Sequence, residues 1–352
     1  MPNSLLSMLN IEYPIIQAPM AGTATVALAA AVSNAGGLGS IGLGASTVEQ
    51  ASEHIRALKR ATSKPFNVNV FCHAAPVQDV ATEQGWLDAL TPYFEEFSAE
   101  PPLRLFQAHP SFNDNPHLLA LLLAERPAVV SFHFGLPSAE AITALKGAGI
   151  KLLGCATRVG EARAIMAAGL DGIIAQGIEA GGHRGVFKPE EDIELGLFGL
   201  LQLLTRQCSL PIIAAGGIMN GQGIAQVLKM GASGAQLGTA FILCPESDAS
   251  QAYRSQLSSA KAFHTGITRC LSGRPARGLI NRAHQELAKL AIPVAAYPQA
   301  YSVGKALHLA ASQQGCFDFA PFWAGQGAPL ARALPAAELM QQLITELEEK
   351  RR

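Results

Sequence analysis

Short apolar runs of five or six residues recur along the chain, and most are followed by a stretch with the three-to-four-residue apolar spacing of an amphipathic helix. Eight runs stand out: Pro14 to Pro19 (PIIQAP), Leu38 to Gly42 (LGSIG), Phe66 to Phe71 (FNVNVF), Val129 to Phe134 (VVSFHF), Lys151 to Ala156 (KLLGCA), Asp171 to Gln176 (DGIIAQ), Pro211 to Ala215 (PIIAA) and Gly234 to Thr239 (GAQLGT). Near-continuous apolarity marks strands buried on both faces, as in a parallel sheet with crossover helices. Successive runs start 24, 28, 63, 22, 20, 40 and 23 residues apart, so five of the seven intervals fit one strand, one helix and two short loops. The spacing predicts helices over Val26 to Ala35, Val48 to Ala61, Ala139 to Ala148, Gly160 to Ala168 and Gly221 to Met230, with Ser46 or Thr47 and Asn220 as capping residues.

Eight βα units in about 245 residues match the size of an α/β TIM (β/α)8 barrel, with a doubly wound open sheet as the alternative. The long interval after the third run predicts a helical insertion at about 75–128, with helices near Thr82 to Phe97 and Leu118 to Glu125. The repeat stops after Ile242. The expected division is therefore a barrel over 1–245 and a mainly helical addition over 246–352, with Asp248 to Gly327 largely helical. Pro335 to Lys350 forms an amphipathic helix that covers the barrel or contacts another copy.

Composition narrows the function. Only 15% of the 352 residues are charged, against ~25% in an ordinary soluble domain, so much of the chain belongs to a large core or an oligomer. With 26 basic and 27 acidic residues and no long run of one sign, no footprint for nucleic acid or an anionic membrane exists. The start has no basic n-region, and the densest apolar stretches, Val26 to Val32 and Leu118 to Ala124, are too short to span a membrane. The six cysteines form no C-x-x-C pair and read as core thiols of a cytoplasmic monomer or homodimer. The acidic group Glu190, Glu191, Asp192 and Glu194 reads as a solvated face, and no metal is expected.

Glycine, 34 residues, is above the usual ~7%. In a barrel, chemistry sits on the loops after the strands. Glycines gather there: Gly177 and Gly181-Gly182-His183-Arg184-Gly185 after the sixth strand, Gly216-Gly217 after the seventh, and Gln236-Leu237-Gly238-Thr239 at the eighth. Backbone N–H groups freed by such glycines, with the following helix N-termini, make a phosphate cradle; each Gly-Gly also serves a tight turn. Gly37 to Gly42 matches G-x-G-x-x-G, but it follows a helix and forms the second strand itself instead of a strand-to-helix turn. His183 is the leading catalytic residue, because an imidazole at the barrel mouth serves as base, acid or electrostatic partner near neutrality. Ser131 and His133 share one face of the fourth strand, where His133 is either a site residue or a satisfied core histidine.

The motifs IIQAPMAG, FNVNVFCH, VSFHFG, AQGIEAGGHRG, AAGGIMNGQGI, QLGTAFILCPES, SGRPARGLIN, YPQAYSVGKAL and WAGQG together resemble the nitronate monooxygenases, bacterial class I, over nearly the whole chain. The resemblance implies a barrel with non-covalent FMN. By carry-over, Gly216, Gly217, Gln236, Leu237, Gly238 and Thr239 hold its phosphate end, Pro19, Met20 and Ala21 pass beside the isoalloxazine, and Asn69 and Gln176 bond the flavin or its ribityl chain. Gly181 and Gly182 let it lie close, and Gln326 reaches its edge. The histidine matching His183 is catalytic in the family, as a base on neutral nitroalkane in fungal members and as a partner of the ionised nitronate in bacterial class I. His133, Tyr297, Tyr301 and Lys305 match its substrate-binding residues, although the last three also suit the surface of a helical addition. The implied reaction oxidises a small anionic nitronate such as propionate 3-nitronate with O2, through one-electron transfer to flavin, to a carbonyl and nitrite. Two alternatives stand: an FMN-dependent NAD(P)H:quinone or enoyl-thioester reductase on the same barrel, and a non-catalytic flavin-binding barrel.

Overall fold

The computed structural model describes residues 4–76 and 79–350; the ends of the two expected domains and residues 77–78 of the expected insertion lie outside the described residues. Its strands are β1 (Ile15–Gln17), β2 (Gly39–Gly42), β3 (Phe66–Phe71), β4 (Val129–His133), β5 (Lys151–Ala156), β6 (Gly172–Gln176), β7 (Gly182–His183), β8 (Ile212–Ala215), β9 (Gly234–Leu237), β10 (Thr265–Thr268) and β11 (Ala276–Leu279). Eight of them form one parallel sheet in the order β1-β9-β8-β6-β5-β4-β3-β2. A parallel bridge between Ile16 and Leu38 brings its two edges together. The fold is thus a nearly closed TIM (β/α)8 barrel, and the open doubly wound sheet is excluded.

The barrel strands are buried on both faces, which explains their unbroken apolar character. Outward residues such as Val68, Val70, Val130 and Ile212 meet Leu28, Ile55, Leu145, Leu200 and Ile224 of the surrounding helices in one core. Inward residues at the strand starts, Ile16, Leu38, Val129, Leu153, Ile174 and Ile213, close on Leu5 and Leu9. Those two leucines belong to the helix Ser4–Leu9, which the sequence pattern did not announce and which plugs the barrel floor.

Helix boundaries follow local chemistry. Val48–Ala61 begins at a capping box in which the Thr47 hydroxyl accepts from Gln50 N and the Gln50 side chain accepts from Thr47 N. Leu197–Gln207, inside the 40-residue interval, has no cap of its own; the Glu179 carboxylate accepts from Leu197 N at 2.9 and 3.0 Å. The Gly37 to Gly42 run does form β2. A Cβ at Gly39 would sit 1.8 Å from the Ala29 carbonyl oxygen, so glycine there serves close packing of helix Val26–Asn34 and not a dinucleotide turn.

The last helix, Ala336–Glu349, packs on helices Gly221–Lys229 and Val26–Asn34, the place an eighth barrel helix would take. Glu346 accepts from Gly221 N at 2.7 Å and pairs with Arg332 at 2.6 Å. Between β9 and this helix the chain makes a long excursion. It is less helical than expected, because β10 and β11 form an antiparallel hairpin that pairs with β7. Its helix Gln299–Gln313 packs through Val303 and Leu307 against Trp86, Leu90 and Phe94 of helix Val80–Glu96. That helix and Pro116–Glu125 are the insertion helices. The acidic group is not a solvated face throughout: Asp192 binds the fully buried Arg184 at 3.0 Å, and Glu191 pairs with Arg158 and Lys188. Among the described residues no helix is long and apolar enough to cross a membrane.

Candidate active site

A cavity of about 330 Å³ opens at the C-terminal ends of the barrel strands, within the range of small-molecule pockets. Its wall includes Pro19, Met20, Ala21, Asn69, Gln176, Gly181, Gly182, Gly216, Gly217, Gln236, Gly238 and Thr239, together with His133, His183, Tyr297, Tyr301 and Lys305. The fold therefore brings residues more than 280 positions apart into one wall. Among the described residues, no aspartate or glutamate lines it.

One end is built from backbone. Gly216 and Gly217 follow β8 with φ of +126° and +68°, values that favour glycine and turn the chain sharply beneath the cavity. A side chain at Gly216 would press on Ala180 N at 3.2 Å. Across from it, Gly238 precedes the 3₁₀ turn Thr239–Phe241, and the Gln236 Oε1 is buried without a hydrogen-bond partner. Unpaired buried acceptors are costly unless a ligand completes them. The N-terminus of helix Gly221–Lys229 is not free for an anion, contrary to expectation. Asn220 takes the Gly223 N–H at 2.8 Å and Glu346 takes that of Gly221.

Two expected cofactor residues stand apart. Leu237 is 1% exposed, and its side chain belongs to the barrel core. The Gln326 side chain is exposed and outside the cavity wall; the WAGQG segment meets the site through backbone, with Gly325 N donating to Thr239 Oγ1 at 3.0 Å and Gln326 N to Glu179 O at 2.9 Å. Gln176 lines the cavity with its amide engaged at both ends, Nε2 donating to His183 O (3.0 Å) and Oε1 accepting from Gly185 N (2.7 Å). The Asn69 Nδ2 donates to Ser131 Oγ at 2.9 Å.

The opposite end is aromatic and imidazole-rich. His183 lies on β7, held by pairing with Ala276 of β11, and its Nε2 is 2.8 Å from Ser272 Oγ. Its Nδ1 makes no hydrogen bond among the described residues. The rings of Trp323, Phe134, Tyr297 and Tyr301 surround it at centroid distances of 5.2, 5.7, 5.8 and 5.9 Å. His133 Nε2 is 3.2 Å from the His183 carbonyl. Tyr297 is buried, so the tyrosines are not decoration of an outer surface. Lys305 stands at the exposed edge with its Nζ 4.5 Å from the Tyr301 ring centre and 3.4 Å from His109 Nε2.

Burial pushes the His183 imidazole down to about 3, helped by His133, Arg274 and His109. His133 falls to about 4 through burial and the Arg274 charge, and His109 to about 4 through burial and Lys305. His73, behind Tyr297, falls to about 4 by burial and Arg274. Burial also lowers Lys305 and raises both tyrosines. At neutral pH the site thus presents uncharged imidazoles, protonated phenols and cations, a set that can hold an anion by hydrogen bonding and charge but takes a proton poorly.

His109, Ser272, Arg274 and Trp323 escaped the sequence reading. The SGRPARG run hinted at Ser272 and Arg274 and the WAGQG run at Trp323; His109 sits in the insertion, 196 positions from the lysine it meets.

The model of a family described as nitronate monooxygenase matches residues 3–346. A nitronate monooxygenase of Pseudomonas aeruginosa is 53% identical over 349 residues, covering 99% of each chain. Among solved structures, a nitroalkane oxidase from Streptomyces ansochromogenes superposes with a TM-score of 0.90 at 39% identity over 99% of both chains. FabK from Thermotoga maritima superposes at 0.75 with 30% identity, over 98% of this chain and 96% of that one.

Proposed function

Given that the chain belongs to the nitronate monooxygenase family, we propose that it is a cytoplasmic enzyme oxidising small alkyl nitronates such as propionate 3-nitronate with O2 to a carbonyl product and nitrite, with FMN as cofactor. One observation carries the reading most of the way: a cavity without a single acidic wall residue, in which the catalytic candidate His183 is held neutral.

The residues present fit FMN. The sharply turned Gly216-Gly217 backbone and Gly238-Thr239 make a small cradle for its phosphate, and the orphaned Gln236 Oε1 suits a donor on the cofactor. Pro19, Met20, Ala21, Asn69, Gly181 and Gly182 would border the ring system. FMN, when bound, supplies the one-electron acceptor that O2 regenerates.

The chain's own residues do the rest. Tyr297, Tyr301 and Lys305 donate to the oxygens of the entering anion, and their charge-assisted bonds orient it. His183 borders the same space, and in the tautomer in which Ser272 Oγ donates to Nε2 its single N–H is offered to the nitronate with no proton removed. A group pushed down to about 3 is a weak base toward carbon, so the reading assigns substrate ionisation to solution and not to the enzyme. Trp323, Phe134 and Phe132 keep the wall apolar and limit water.

The reductase alternative shares the cradle, so cofactor binding does not separate the two. Anaerobic mixing of the purified holoenzyme with NADH is expected to leave the flavin absorbance nearly unchanged, while aerobic propionate 3-nitronate releases one nitrite per nitronate consumed. Rapid bleaching by NADH with no nitrite release would assign the reductase activity instead.

A further inference from the structure

Arg274 has no part in the scheme above, yet it is the most unusual charge in the molecule. It is 6% exposed and forms no ion pair among the described residues. Its Nη2 donates to the Val186 and Phe187 carbonyls, and its Nε is buried without a partner. The guanidinium carbon lies 4.4 Å from the centre of the Phe134 ring and 5.9 Å from that of Tyr297. Phe134 in turn meets His133 at 4.5 Å and His183 at 5.7 Å. A single ring therefore separates a full positive charge from both histidines of the site.

The arrangement is built, not incidental. Phe134 has φ of +72°, a strained value for a bulky side chain, of the kind that gathers at functional sites. Other buried cations are handled differently: Arg184 is neutralised by Asp192, and Arg277 gives its donors to Ile178 and Thr265 without stacking on any ring of the site. The carboxylates that act on Arg274 are Glu161 and Glu190, beyond ion-pair reach. Glu161 is already committed to Thr157 N, Phe187 N and Arg158. An unpaired charge removed from water is costly, and its field reaches a nearby dry cavity with little screening.

We propose that Arg274 is a specificity-determining residue: a fixed cation behind the Phe134–Tyr297 wall that makes the cavity select anionic over neutral substrates. It touches no substrate and acts through the ring wall. The inference rests on the nitronate reading for the identity of the anion, but the selection itself is testable without turnover.

The test uses nitrate, a planar anion, and acetone, an uncharged planar molecule, each titrated into holoenzyme at low ionic strength and read by perturbation of the bound flavin's visible spectrum. Arg274→Met is expected to weaken nitrate at least tenfold, Arg274→Lys less than threefold, and both to change acetone and FMN affinity less than twofold. Arg274→Gln, which keeps a donor for the Val186 carbonyl, takes the place of the methionine variant should that one not fold. Nitrate binding unchanged on loss of the charge overturns the proposal. So does equal weakening of nitrate and acetone by both substitutions, the signature of a merely structural role, or failure of the native protein to bind nitrate. If nitrate responds as expected while no nitronate is oxidised, the proposed function fails and the anion selection stands.

Discussion

Replacing His183 by asparagine is expected to leave FMN bound and to lower nitronate turnover by about 100-fold or more. The side chain lies at the meeting point of the site's polar groups, with Nε2 on Ser272 and the residue in the cavity wall. Asparagine is shorter and its amide does not reach the same point, so the anion loses a donor in a place where water does not replace it. The cofactor cradle is unaffected, because Gly216, Gly217, Gln236 and Gly238 contribute from other strands. Steady-state oxygen uptake, with FMN content measured after heat release, checks both halves. Retention of full activity would remove His183 from the reaction and favour a barrel that binds flavin without catalysis. Loss of FMN together with activity would instead make His183 a cofactor-binding residue.

The second large effect is on stability. His73, His109, His133 and His183 titrate near 6.5 in an unfolded chain and are pushed down to about 4, 4, 4 and 3 in the folded one, in each case first by burial. As pH falls below 6.5 the unfolded state takes up protons that the folded state refuses, so stability is full above that value and is lost on acidification toward 4. Each such group contributes up to ~1.4 kcal/mol per pH unit in that window. Urea unfolding of the holoenzyme is therefore expected to show a loss of more than about 3 kcal/mol between pH 7 and pH 5. His73→Phe removes one buried titrating ring and should flatten the fall. A profile level between pH 7 and pH 5 would mean that these imidazoles are far better solvated than their packing implies.

How far the sequence foretells this structure depends on the range of the interaction. Val48–Ala61 has the expected bounds because its signals are local: Thr47 and Gln50 at one end, and Ala51, Ile55 and Leu58 along one buried face. The barrel strands are legible for a similar reason, since burial on both faces leaves an uninterrupted apolar run. The helix Leu197–Gln207 is harder to see because its cap is Glu179, 18 positions upstream. The helix Ser4–Leu9 is six residues, too short for periodicity to register, and is ordered by the barrel floor it fills. In the hairpin β10–β11 each strand is four residues long and neither alternates in burial, so no period-two pattern marks it.

The site divides in the same way. Gly216 and Gly217 after β8 are visible because their positive φ values demand glycine locally. Tyr297, Tyr301 and Lys305 carry no local sign of chemistry and enter through family resemblance, while the fold puts both tyrosine rings against His183. Gln326 and Leu237 lie in segments that border the cavity but point elsewhere, which motif matching does not reveal. Arg274 and His109 need the tertiary structure outright, since each acts on groups brought to it by a different element.

A cavity walled by neutral imidazoles, phenols and a lysine is suited to an anion formed before binding. That fit is tested most directly by oxygen uptake of the purified holoenzyme at neutral pH, with propionate 3-nitronate compared against its neutral nitroalkane form presented before it ionises. Rapid uptake with the nitronate and at least ~100-fold slower uptake with the neutral form is the predicted result, since His183 at about 3 is a poor base. Uptake with neither compound, or equal rates with both, would contradict it.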